Sequence, residues 1–127
     1  MVDTVARARL FPTEDPEKVR KALLNLFPAA EMTTQGDEMI GRTEDLSRFK
    51  ELIRNHRILD STRAVMLRGV SEGTIIFQLN KQAAYVGKIS FAEGRSPLGP
   101  ITVVMIVSDP EATVDDVAPS TVDGLIP

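Results

Sequence analysis

The sequence predicts a single α+β domain, with a mainly antiparallel sheet and helices packed on one of its faces. Three observations predict it. Strand-like segments outnumber helical ones, and the joints between several of them are short and polar, which favours hairpins over the crossovers of a doubly wound parallel sheet. The chain has 127 residues, within the roughly 100–200 residues of one domain, and no linker divides it. Its composition, 43% hydrophobic and 26% charged, supports one buried core and argues against disorder.

The first element is a strand over Val2–Phe11, with Val2, Thr4, Ala6, Ala8 and Leu10 on one face and Asp3, Val5, Arg7, Arg9 and Phe11 on the other. A helix follows, capped by Asp15, with Pro16 in its first turn, Val19, Ala22, Leu23, Leu26 and Phe27 as its apolar stripe, and Pro28 as its end. Glu31–Gln35 and Glu38–Arg42 flank Gly36-Asp37 and read as a hairpin, although Asp-Gly is the favoured order. Thr43 opens a second helix that buries Leu46, Phe49, Leu52 and Ile53 and runs to about Asn55 or Arg57. Asp60 caps a third over Ser61–Arg68, which ends on Gly69 in the left-handed position.

Ser71-Glu72-Gly73 then turns into a strand over Thr74–Leu79, followed by a helical turn over Asn80–Tyr85 and a strand over Val86–Ala92. The loop Glu93–Pro100 leads to the strand Ile101–Ser108. Beyond Asp109-Pro110 no period persists, so residues 109–127 read as an irregular acidic tail of a domain that spans 1–127. Met32, Met39, Met66 and Met105 are expected as core filler.

The zero cysteine count excludes thiolate catalysis and cysteine zinc sites and suits a reducing cytoplasm. The longest apolar stretch, Ile101–Val107, is far short of the ~20 residues of a membrane helix, and MVDTVARARLF has no apolar core of a secretory signal, so no membrane partner is expected.

The formal charge of −3 is unevenly spread. Residues 1–41 carry −2, residues 42–95 carry +4 with ten Lys/Arg, and residues 96–127 carry −5 with no base. Such asymmetry points to a polyanion-facing side if the bases share one surface, and to ordinary solvation if acids intersperse them in space.

The basic stretch contains the principal candidate. Lys50, Arg54 and Arg57 recur at i, i+4 and i+7, one face of a helix whose other face carries Phe49 and Ile53 to the core, and Arg48, Arg63 and Arg68 add charge nearby. A row of this kind meets successive phosphates, Arg through its planar fork. The alternative is a solvated face, with Glu51 pairing Arg54 or Asn55 along the helix. A second candidate is the string Asn80 to Lys88: Tyr85 could stack on an unpaired base while Asn80 and Gln82 read base edges, with Lys81 beside them. Its alternative is structural, with Asn80 as a cap and Tyr85 half-buried with its hydroxyl in water. Arg7 and Arg9 share a strand face that extends the positive surface if no helix covers it.

Enzymatic readings are weak. His56, Asp60 and Ser61 superficially resemble a triad, but Ser61 would point about 140° from His56 on a helix. Asp115-Asp116 and Glu44-Asp45 are adjacent pairs that diverge in regular structure, and Gly94–Pro100 contains two prolines that remove the amides a phosphate loop uses. No catalytic residue, metal or small-molecule cofactor is therefore expected.

Three strings, FPTEDPEKVRKALLNLFP, RNHRILDSTRAVMLRG and IIFQLNKQAAYVGKISFAEGRSPLGPI, together resemble an archaeal uncharacterised protein family, UPF0201, over nearly the whole chain. The resemblance implies an archaeal, cytoplasmic protein with a ribosomal protein L5-like fold, and implies no catalytic residues. By fold analogy it adds RNA as a partner. Two functions follow as expectations: a non-enzymatic RNA-binding module using Lys50, Arg54, Arg57, Arg63 and Arg68 with Lys81, Gln82 and Tyr85, or a structural module that self-associates as a homodimer through a sheet edge or an apolar face.

Overall fold

Hydrophobic alternation at period two builds the centre of the protein. In the computed structural model, which describes residues 2–92 and 99–121, strand β1 (Val2–Arg9) is followed by α1 (Pro16–Leu26), β2 (Glu31–Gln35), β3 (Glu38–Thr43), α2 (Ser47–Asn55) and α3 (Leu59–Arg68). Then come β4 (Val70–Ser71), β5 (Thr74–Asn80), α4 (Lys81–Tyr85), β6 (Pro100–Val107) and α5 (Pro110–Val117). The six strands form one sheet in the order β2-β3-β1-β6-β5-β4, antiparallel at every pairing. The expected α+β class with helices on one face holds.

Register decides which side chains meet the helices. Ala6 pairs with Val103 and Gly41, and Phe77 with Val103, so the residues Ala6, Ala8, Met39, Ile101, Val103, Met105, Ile75, Phe77 and Leu79 face the helices and are buried. A relay of rings, Phe27 to Phe49 at 5.5 Å, Phe49 to Phe77 at 5.9 Å and Phe77 to Phe91 at 6.1 Å, joins α1, α2 and β5. Met39, Met66 and Met105 are buried, and Met32 packs partly against the core.

Most elements lie where their patterns place them, and the departures have physical causes. The Gly36-Asp37 hairpin puts the positive φ of +59° on the first loop residue, which suits Gly-first order as in a type II′ turn. α2 starts at Ser47, not at Thr43: the Thr43 hydroxyl accepts from the Asp45 amide and the Asp45 carboxylate from the Ser47 amide, a local turn that precedes the helix. Asp60 is in the first turn of α3, not its cap; the cap position is Ile58. Gly69 has φ −91° and is not left-handed. It is needed for close approach, since a Cβ there would overlap the Ile76 carbonyl oxygen.

Val86–Ala92 is not a strand. Gly87, at φ +72°, closes α4 with its amide bonded to the Ala84 carbonyl and the Lys88 amide to the Ala83 carbonyl, which turns the chain out of line. Only the Leu79–Phe91 bridge pairs this segment with the sheet. The acidic tail is also not irregular at its start. Asp109 caps α5 by accepting from the Ala112 amide, Pro110 occupies the first turn, and Val114 and Val117 are fully buried. The expected loop at 93–98 and the tail at 122–127 lie outside the described residues.

Candidate nucleic-acid interface

The basic stripe does not stand free, because α5 folds back against α2 and α3. Lys50 Nζ lies 2.9 Å from Asp116 Oδ2, and Arg63 Nη1 lies 2.7 Å from Asp115 Oδ1. Arg63 also donates to the Ala118 carbonyl at 3.2 Å. Arg54 pairs with no carboxylate among the described residues; its guanidinium donates to the carbonyls of Lys50 at 3.1 Å and Val117 at 3.4 Å, the latter at the negative end of the α5 dipole. Glu51 pairs with Arg48 and not with Arg54. The −5 segment thus supplies counter-charges to the +4 segment.

Arg57 leaves the stripe altogether. α2 ends at Asn55, and Arg57 takes the left-handed closing position at φ +55°, with its amide bonded to the Arg54 carbonyl and the Ile58 amide to the Ile53 carbonyl. The i+7 relation therefore no longer describes a helix face. Arg57 and Arg68 are exposed and make no side-chain hydrogen bond or ion pair among the described residues. Arg68 lines a groove of about 680 Å³ with Ser61, Val65 and Phe91. His56 directs Nδ1 to the Leu52 carbonyl, 2.6 Å away.

The second candidate string is divided by burial. The Lys81 side chain is fully buried and cannot reach a phosphate; its Nζ donates to the Arg9 carbonyl at 2.7 Å and to both Glu14 oxygens at 3.0 and 3.3 Å. Tyr85 Oη donates to Glu14 Oε2 at 2.6 Å, so the hydroxyl expected in water serves an internal network. Burial pushes the Glu14 carboxyl up, but hydrogen bonds from Tyr85, the Phe11 amide and Lys81, together with the Lys81 charge, hold it below its ordinary value. Burial and the Glu14 carboxylate raise the Tyr85 hydroxyl well above its ordinary range. Asn80 caps α4 as expected, accepting from the Ala83 amide. Gln82 is exposed, one turn before Tyr85.

A cavity of about 270 Å³ opens where Tyr85 meets α1, lined by Lys18, Lys21 and Tyr85. The helix stripe that buries Val19, Ala22, Leu23 and Leu26 leaves both lysines exposed. Asn25 fastens the two elements by donating to the carbonyls of Ala84 at 2.9 Å and Tyr85 at 3.4 Å. Sequence reasoning missed Lys18 and Lys21, although the spacing in KVRK places them one turn apart, because the charges of residues 1–41 sum to −2.

On the other face of the sheet, exposed side chains stand beside the buried Val5 and Ile40. Val5 pairs with Arg42 and Val104, Arg7 with Ile40 and Thr102, and Ile76 with Val104. Arg7 and Arg42 are exposed on the β3–β1 side, while Ile76 and Ile106 are exposed on the β5–β6 side. Arg9, on the same face, pairs with Asp37 at 3.2 Å. No helix among the described residues is long and apolar enough to cross a membrane.

The family model described as RNA binding matches residues 4–107, from β1 to the end of β6. A UPF0201 protein of Methanopyrus kandleri is 47% identical, over 91% of this chain and 83% of the relative. The chain belongs to the UPF0201 family. A UPF0201 protein of Thermococcus kodakarensis is 44% identical over 93% of this chain and 90% of its own length. The crystal structure of the UPF0201 protein from Methanococcus jannaschii superposes with a TM-score of 0.90 at 38% identity, covering 98% of both chains. That relative shares this α+β fold over nearly its whole length, and α5 lies beyond the part matched as RNA binding.

Proposed function

We propose that this chain is a non-enzymatic RNA-binding module of the archaeal cytoplasm, with a small number of phosphate contacts. The observation that carries the reading is the match of residues 4–107 to the family model described as RNA binding. The contacts belong to exposed cations that pair with no carboxylate among the described residues: Arg57 and Arg68 of the basic stretch, with Lys18 and Lys21 on α1. Lys50 and Arg63 are assigned to α5 instead, and Gln82 remains available as an exposed amide beside Tyr85.

Titration with mixed-sequence RNA across a salt series tests it. Log affinity should fall linearly with log salt, and Arg57→Ala with Arg68→Ala should reduce the slope by about 1.4, at about 0.7 for each lost single-strand phosphate contact. Lys50→Ala should change it little, because Asp116 already compensates that charge. Absence of salt-sensitive binding at low ionic strength removes the reading.

A second reading is favoured by the open sheet face. Exposed Ile76 and Ile106 adjoin Val104 and lie beside a half that carries both signs, Arg7 and Arg42 with Glu31 and Glu38. A second copy of this chain fits such a self-complementary surface, apolar against apolar with charges at the rim.

A further inference from the structure

We infer that the cavity between α1 and α4 holds one nucleotide of a single strand, its base stacked on the Tyr85 ring and its phosphate held by Lys18 and Lys21. The inference rests on the RNA-binding reading and gives it a mode. Several properties of the site converge on this ligand. Its volume of about 270 Å³ is near the lower end of small-ligand pockets, the size of a nucleotide unit and too small for a helical groove.

The two lysines are exposed and make no ion pair or side-chain hydrogen bond among the described residues, so their charge is available. Glu17 precedes Lys18 and lies four residues before Lys21, yet pairs with neither. The carboxylate behind the ring, Glu14, is occupied by Lys81, Tyr85 and the Phe11 amide. Lys18 also lies in the first turn of α1, where the helix dipole favours an anion.

The ring is positioned in advance. Its hydroxyl is tied to Glu14, and the backbone of Tyr85 is tied to α1 through Asn25. With the hydroxyl proton donated to Glu14, Tyr85 offers its aromatic surface and no free donor, so the stacking tolerates any base. A duplex keeps its bases stacked internally and cannot supply one.

The chain has one tyrosine and no tryptophan, which makes the ring-proton resonances of Tyr85 a reporter of this site alone. The probes are a short mixed-sequence RNA strand, the same strand annealed to its complement, and adenosine monophosphate. The single strand should shift the Tyr85 resonances in step with binding, and the duplex should not. Lys18→Ala with Lys21→Ala should lower the salt slope by about 1.4. Tyr85→Leu should weaken the strand by about 5- to 150-fold, the range of base–aromatic stacking, whereas Tyr85→Phe should keep most of the affinity. If Tyr85→Leu does not fold, the lysine pair and Tyr85→Phe decide.

Strand binding that leaves the Tyr85 signal and the lysine variant unchanged overturns the site while the RNA-binding reading stands. Equal shifts from strand and duplex overturn the stacking. A response to adenosine monophosphate without strand binding keeps a nucleotide site and removes the RNA reading; no response to any probe removes both.

Discussion

Lys81 and Glu14 form an ion pair with side-chain exposures of 0% and 5%, so each neutralises a charge that water cannot reach. Breaking such a pair from one side leaves the other charge uncompensated, at about 3–5 kcal/mol. Lys81→Met should therefore lower the free energy of unfolding by that amount, and adding Glu14→Gln should recover part of it, as read by denaturant titration of both variants. The pair also sets a pH dependence. The Glu14 carboxyl is depressed below 4.5, so its contribution is complete above that value and is lost as pH falls through the lower folded value. The Tyr85 hydroxyl is raised above 10.0, so its contribution is complete below that value and fades as pH climbs further. Tyr85→Phe should remove the alkaline loss, and Glu14→Gln part of the acid loss. None of this was legible at Lys81 in the sequence, where a lysine after a strand reads as solvent-facing. Glu14 and the Arg9 carbonyl, to which Lys81 donates, are 67 and 72 residues away.

At the scale of elements, α5 determines which cations remain free. Asp115 and Asp116 are each 65% exposed at the side chain, and surface pairs of this sort contribute about 0–1 kcal/mol. Asp115→Asn with Asp116→Asn should barely alter stability but release Lys50 and Arg63, raising RNA affinity and steepening the salt slope by up to about 1.4. An unchanged slope in that double variant would show that α5 does not mask a phosphate-binding face. The signals for α5 were local: Asp109 as cap, Pro110 in the first turn, then Thr113, Val114 and Val117 at helical spacing. The run of acids concealed them by suggesting a solvated tail. The end of α2 carried no such signal, because an arginine occupies the left-handed position that glycine usually marks. The i, i+4, i+7 relation of Lys50, Arg54 and Arg57 presumed a helix that had already closed.

For the whole molecule, the sheet divides the protein into a helix-covered side and an open-edged side that exposes Arg7, Arg42, Ile76 and Ile106. Ile76 is 44% and Ile106 50% exposed on the open side, so self-association through that face should give a dimer by sedimentation equilibrium at micromolar concentration. Ile76→Lys with Ile106→Lys should return it to a monomer. A natural chain that remains monomeric throughout ends the second reading. The sequence alone determined the α+β class, the two central strands, the helix stripes and the apolar core, because periods of 2 and 3.6 are written in neighbouring residues. Only the tertiary structure decided which charges are available. Arg63 meets Asp115 across 52 residues and Lys50 meets Asp116 across 66, and Coulomb attraction depends on distance in space, whereas a sum along the chain records only order.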